Sequence, residues 1–182
     1  IAPPGYLRTK ADATAVFVYY ECILQRLFNG PGRVTVVGPF FFQALSTSSG
    51  FDQLGGCILD LSQSPDNLYI VGGTVWWRRV VTGVNNPTGI YFSDIDSFFG
   101  SVTISPPLYF SGKSTIKATL LTLSTLNILN NGNVNIFPGA RVKLNKIDIP
   151  NSAQLEIKNA SLDFISTGTG QINICTPYAS QG

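Results

Sequence analysis

Histidine is absent from the 182 residues, and with it go the Ser-His-Asp triad, the Cys-His dyad and the usual zinc sites. Methionine is absent too, at position 1 as elsewhere, which predicts a mature, exported chain whose signal peptide has been removed. Cysteine is confined to Cys22, Cys57 and Cys175, an odd count at wide spacing. That excludes a disulfide framework and compact Cys-x-x-Cys metal sites, and allows at most one intrachain pair, whose identity stays open. Charged residues are only 12 % of the chain, against about a quarter in an ordinary water-exposed domain. The surface is therefore expected either to face other subunits, sugar or a lattice, or to carry the Ser/Thr/Asn coat of a secreted protein. The net charge is +2 and the cations lie singly apart from Arg78-Arg79, so no phosphate-tracking stripe exists and nucleic acid is not an expected partner. The apolar stretch from Ala13 to Phe28 is broken by Glu21, Gln25 and Arg26 and is shorter than the roughly 20 residues of a membrane span, so none is expected.

What is present is apolar and strand-like: 44 % hydrophobic residues with a mean hydropathy of +0.20. Length fits one domain, residues 1–182, with enough chain to bury a substantial core. Ile1 to Lys10, with Pro3-Pro4-Gly5, reads as an extended arm. From Asp12 as N-cap, the apolar spacing of Val16, Tyr20, Ile23, Leu24 and Leu27, stopped by Asn29-Gly30, predicts a helix over 12–28. The run Val16-Phe17-Val18-Tyr19-Tyr20 is of strand type and argues the other way. Beyond residue 30 nothing reads as helix. Short apolar runs (Val34–Val37, Phe40–Phe42, Cys57–Leu61, Leu68–Val71, Thr74–Val81, Ile90–Phe92, Val102–Ile104) end at Gly, Pro or Asn turns.

Laying Leu121–Arg141 over Val142–Leu162 reveals a 21-residue repeat. Leu121 falls on Val142, Leu123 on Leu144, Leu126 on Ile147, Ile128 on Ile149, Val134 on Leu155 and Ile136 on Ile157; the turn residue Asn130 falls on Asn151. Each copy holds three apolar-x-apolar units, so each unit puts two side chains on one face of a strand. Three short strands per repeat form a triangular coil, which buries its inner face only when the next coil stacks upon it. A meander of antiparallel hairpins is the competing arrangement, since Asn131-Gly132 and Pro138-Gly139 also suit hairpin turns. The expected fold is all-β: a right-handed parallel β-helix with coils over 33–175, a capping helix and a tail at 176–182.

The segment Lys10-Ala-Asp-Ala-Thr-Ala-Val-Phe17, followed by Gly30-Pro-Gly-Arg-Val-Thr-Val-Val-Gly-Pro-Phe-Phe42, resembles the opening of the pectin-lyase-like β-helix superfamily, as does Leu68-Tyr-Ile-Val-Gly-Gly-Thr74. In that superfamily a helix caps the first coil and a Gly-rich turn leads into the first strand; here Val36-Val37-Gly38-Pro39 departs from its usual Pro-x-Gly form. The resemblance covers the first 75 residues and implies a fold, not an activity, because the superfamily includes lyases, hydrolases, tailspikes, adhesins and structural members.

Asp94 and Asp96 lie two apart, so on a strand their carboxylates share a face at roughly 6.5–7 Å, near the separation used by inverting glycosidases. The alternative is a solvated acidic turn around Ile95. Arg78 or Arg79 can offer a guanidinium to a uronate, although strand alternation would point the two oppositely, so that only one joins a site. Trp76 and Trp77 offer a sugar-stacking platform, with one of them turned inward. Arg141, Lys143, Lys146 and Lys158 read as a solvated face, Asn159-Ala160-Ser161 as a lone glycosylation sequon, and the Asn-rich turns of 127–151 as stacked amides bonding coil to coil.

No catalytic residue, metal or cofactor is assigned. The expected role is a non-catalytic secreted, cell-surface or virion-surface subunit whose partners are copies of itself in a fibre, spike, filament or lattice. Ile1, Pro3, Pro4, Tyr6 and Tyr178 are the candidate assembly residues. The competing role is a polysaccharide-binding module or a β-helix lyase or glycosidase.

Overall fold

The computed structural model describes residues 17–20, 33–35, 40–43, 50–52, 58–62, 67–83, 88–163, 166–168 and 171–175. In chain order its strands are β1 (Phe17–Tyr20), β2 (Arg33–Thr35), β3 (Phe40–Gln43), β4 (Gly50–Asp52), β5 (Ile58–Asp60), β6 (Leu68–Val71), β7 (Thr74–Trp77), β8 (Val80–Val81) and β9 (Ile90–Ser93). They continue as β10 (Asp96–Ile104), β11 (Leu108–Ser111), β12 (Lys113–Ile128), β13 (Asn133–Ile136), β14 (Arg141–Ile149), β15 (Gln154–Lys158), β16 (Ser161–Asp163), β17 (Ser166–Gly168) and β18 (Gln171–Cys175).

Every pairing among the described residues is parallel. Parallel neighbours cannot be joined by tight hairpins, so the antiparallel meander is excluded and each connection is one circuit of a coil. The strands wind as a β-solenoid of about five turns. One face stacks β1, β3, β6, β9, β11, the ends of β12 and β14, and β17. A second stacks β4, β7, the starts of β10 and β12, β13, β15 and β18. The third is split. β2, β5 and β8 form a three-stranded sheet of their own, whereas the later parts of β10 and β12, the start of β14 and β16 belong to the 15-stranded sheet.

The repeat predicts the register. Leu121 pairs with Val142, Leu123 with Leu144 and Leu126 with Ile147; Val134 pairs with Leu155 and Ile136 with Ile157. Ile128 and Ile149, both buried, continue the same alignment one step beyond Asn127 and Asp148. The 21-residue period itself is local. Leu68, Ile90, Leu108, Leu126 and Ile147 occupy one inner column at spacings of 22, 18, 18 and 21 residues. Only the strands are constrained to stack; the corners lie outside the columns and vary in length freely.

Alternation fills the tube. β14 exposes Arg141 and Lys143 and buries Val142 and Leu144, and each fully buried Leu or Ile contributes about 1.5–3 kcal/mol relative to exposure. Phe92 and Phe110 stack at 4.9 Å inside the first face, and Trp77 meets Phe92 and Phe99 edge-on at 5.6 and 6.1 Å. Two serines enter this interior with their bonds made. Ser97 Oγ donates to the Thr115 carbonyl at 2.6 Å, and Ser114 Oγ donates to the Ser111 carbonyl at 3.1 Å while accepting the Ile95 N–H at 3.2 Å.

The expected helix over 12–28 fails where it can be compared. Phe17–Tyr20 is strand β1, in parallel register with Phe40–Gln43. The β-branched and aromatic run overrides the 3.6-residue spacing, because parallel pairing with β3 satisfies the backbone of that segment. The remainder of that expected helix, and the terminal segments 1–10 and 176–182, lie outside the described residues.

Candidate functional site

Asp94 and Asp96 flank buried Ile95 and are both exposed, but each is bonded to the next coil. Asp94 sits at φ +53° and its Oδ1 accepts the Lys113 N–H at 3.0 Å, while Ser93 Oγ donates to its Oδ2 at 3.3 Å. Gly112 makes the approach possible, for a Cβ there would lie 2.2 Å from Asp94 Oδ1. Asp96 Oδ1 accepts the Thr115 hydroxyl at 2.5 Å and faces Lys117 Nζ at 3.3 Å. Both carboxylates thus stitch one coil to the next, each with its own partners.

The tryptophans separate as strand alternation requires. Trp77 is fully buried in the core and presents no face to a sugar. Trp76 is half-buried on the outside, edge-on to Phe98 at 5.1 Å, with the Arg78 guanidinium 4.9 Å above its ring. Strand alternation, expected to point the two arginines oppositely, does not govern them. Arg78 and Arg79 occupy the bend between β7 and β8, where two-fold alternation does not apply, and both are exposed and line the same cleft.

That cleft, about 550 Å³, is a slit in the third face between β8 and the later half of β10. It lies where the ladder is broken: β8 pairs with β5 and Ser101–Ile104 pairs with β12, but β8 and β10 belong to different sheets. Two contacts pin the strands together. Gly100 allows the backbone of Arg78 so near that an added Cβ would lie 3.2 Å from its Cα. Further along, Thr82 Oγ1 and Ser105 Oγ share a hydrogen bond at 3.0 Å, and the Ser105 N–H donates to Thr82 Oγ1 at 3.3 Å. Among the described residues the polar lining is Arg78, Arg79, Thr82, Ser101, Thr103 and Ser105, over an aliphatic wall that includes Val80, Val81 and Val102.

A tyrosine ladder is the feature that sequence reasoning missed. Tyr69, Tyr91 and Tyr109 occupy one outward column of the first face, with ring centroids 4.8 and 4.4 Å apart and planes within 19° and 8°. Gly89 leaves room for them, since a Cβ there would fall 2.8 Å from the Tyr109 ring. Burial, followed by the neighbouring Tyr109 and Tyr69, raises the Tyr91 pKa above the ordinary 10.0. The signal was the triplet apolar-Tyr-apolar in Leu68-Tyr-Ile70, Ile90-Tyr-Phe92 and Leu108-Tyr-Phe110, hidden because its spacings differ from 21. Rings stacked on one another turn edges and hydroxyls outward, so the ladder is a coil-to-coil brace and not a sugar platform.

In the Asn-rich turns Ser152 Oγ donates to the Asn130 amide oxygen at 3.4 Å and accepts the Asn131 backbone N–H at 3.1 Å, while Asn127, whose Nδ2 donates to the Leu108 carbonyl at 3.2 Å, lies in strand β12 and not in a turn. Arg141, Lys143 and Lys146 are exposed on β14, with Lys146 Nζ 3.9 Å from Asp148. Asn159 of the sequon is exposed at φ +47°. Ile1, Pro3, Pro4, Tyr6 and Tyr178 lie outside the described residues. Among the described residues no cluster of three or more His, Cys, Asp or Glu side chains can hold a metal ion, and no helix is long and apolar enough to cross a membrane.

No protein-family model matches the chain, nor does any curated protein or solved structure.

Proposed function

We propose that this chain is a non-catalytic structural element of a cell surface, secreted matrix or virion, a stiff solenoid segment that associates with copies of itself into a fibre, spike, filament or lattice. The observation that carries the reading is the use made of Asp94 and Asp96. The two carboxylates best spaced for acid–base chemistry are bonded to Lys113, Thr115 and Lys117 of the following coil, and so serve cohesion. Support for association comes from the scarcity of charge and from the outward aromatic and aliphatic groups, with Tyr69 and Val81 both substantially exposed. The pectin-lyase-like superfamily remains our proposed affiliation; the parallel solenoid and the motifs Gly30–Phe42 and Leu68–Thr74 support it, the strand at Phe17–Tyr20 does not, and its structural members set the precedent for a role without catalysis.

Sedimentation velocity at micromolar concentration tests the proposal. We expect species well above the 19.6 kDa of one chain, seen as regular particles or fibres in electron micrographs. A single species of monomer mass throughout would overturn it.

A further inference from the structure

We propose that the tyrosine ladder and the short side chains beside it dock against the same strip on a second copy of this chain, the two copies related by a two-fold axis parallel to the solenoid axis. The inference rests on the self-association reading and gives it a surface.

Two outward columns set the relief of the first face. One carries Tyr69, Tyr91 and Tyr109; the other, two residues further along each strand and so about 7 Å away, carries Val71, Ser93 and Ser111. The rings stand as a continuous ridge, because centroid spacings of 4.8 and 4.4 Å leave no gap between them. The short side chains of the second column make a gutter beside it. Phe41 and Asn127 extend the ridge by one rung at either end, and Gln43 extends the gutter, so neither column carries a charge along this stretch. Five rungs at about 4.8 Å make the strip about 19 Å long. Asp148, next to Asn127 and 3.9 Å from Lys146, ends it.

The occupant follows from neutrality and relief. A strip without charge does not select a polyelectrolyte, and stacked rings offer edges in place of faces to a sugar. What fits a ridge beside a gutter, at the same rung spacing and height, is a gutter beside a ridge. Rotation by 180° about a line in the interface, parallel to the solenoid axis and midway between the columns, exchanges the two columns and keeps the rungs level. Tyr69 then lies over Val71 of the second copy, Tyr91 over its Ser93 and Tyr109 over its Ser111, and each contact is made twice. Facing sheets pack about 10 Å apart, a gap that one extended tyrosine fills and two opposed tyrosines overfill. A two-fold axis across the solenoid would set ridge on ridge and is excluded on that ground.

The gutter also suits the hydroxyl at each ring's tip. Ser93 Oγ donates to Asp94 Oδ2 at 3.3 Å and Ser111 Oγ donates to the Phe92 carbonyl at 3.5 Å, so both serine oxygens keep lone pairs to accept from a tyrosine of the second copy. Tyr69, 39 % exposed, has the most surface to bury. The strip is smaller than the roughly 800 Å² per partner of a standard interface, so it makes a weak, concentration-dependent pair to which a fibre or lattice adds a second contact.

The experiment is sedimentation of the full chain from about 1 µM to about 1 mM, the range of a weak pair. Ser93→Tyr fills the gutter while keeping the ladder, and Tyr91→Ser removes a tooth of the ridge; each should weaken association about tenfold. The two exchanged together, Tyr91→Ser with Ser93→Tyr, put the tooth in the other column of both copies, where the two-fold axis again sets it over a serine, and should restore association to within about threefold. Thr103→Lys, on the third face, should change it little. Thermal unfolding of each variant reports the ladder's part as a brace: the exchanged variant loses the stacked ring as Tyr91→Ser does, so recovered association with unrecovered stability separates docking from folding. Association undiminished in both single variants, no recovery in the exchanged one, or equal loss from Thr103→Lys would overturn the strip and leave self-association standing. A monomer at every concentration of the unaltered chain would overturn self-association and the strip with it.

Discussion

At the scale of single residues, the contact between Asp94 and Gly112 shows how a carboxylate that looks catalytic in a sequence becomes structural. Gly112 stands at φ +64°, where an alanine is strained by about 1–2 kcal/mol, and a side chain there would displace the Asp94 carboxylate. Gly112→Ala is therefore expected to lower unfolding stability by about 1–3 kcal/mol in a denaturant titration. Asp94→Ala should cost about 1–2 kcal/mol through loss of the Lys113 N–H acceptor, whereas Asp94→Asn keeps an acceptor and tolerates the left-handed backbone, and should cost less. Equal losses from the alanine and asparagine variants would contradict the bond as the cause. Tyr91 supplies a pH signature. Its folded pKa is raised above 10.0, so the neutral phenol is favoured by folding, first by burial and then by the tyrosines beside it. That contribution is complete below pH 10.0 and disappears as pH rises through the folded value. Stability should fall in that alkaline window, and Tyr91→Phe, which keeps the stacked ring, should reduce the fall.

At the scale of elements, cohesion is unequal. β12 is hydrogen-bonded to β10, β11, β13 and β14, whereas among the described residues β8 has a strand partner only in β5. Amide hydrogen exchange is expected to be slowest in β12 and much faster in β8, since edge amides open without breaking the stack. Protection of β8 equal to that of β12 would mean that the third face closes in solution. Leu126→Ala, in the inner column between Leu108 and Ile147, should cost about 2–5 kcal/mol, because the rigid columns on either side limit collapse into the cavity. The inner columns were legible from Leu121 onward, where two successive coils share one length. They were not legible upstream, where corners of unequal length shift the pattern and conceal the tyrosine triplets. β1 was misread for another reason: helical spacing and strand composition coexist in that segment, and only an adjacent strand decides between them.

At the scale of the whole molecule, the assembly reading assigns the segment Ile1–Lys10, with its Pro3-Pro4-Gly5, to the interface. Deleting it should shift sedimentation toward the monomer; unchanged particle size would remove the arm from the interface. The sequence alone determined that histidine-dependent chemistry is impossible here and that apolar-x-apolar units recur at coil length, since both are properties of composition and order along the chain. It also determined which late residues share a column, because a constant repeat length carries register directly. The tertiary structure decided what Asp94 and Asp96 bond to and where Arg78 and Arg79 stand. Whether a carboxylate meets a backbone amide of the next coil, or two adjacent arginines both border one cleft, depends on how coils of unequal length settle against each other, and that alignment is created only when they stack.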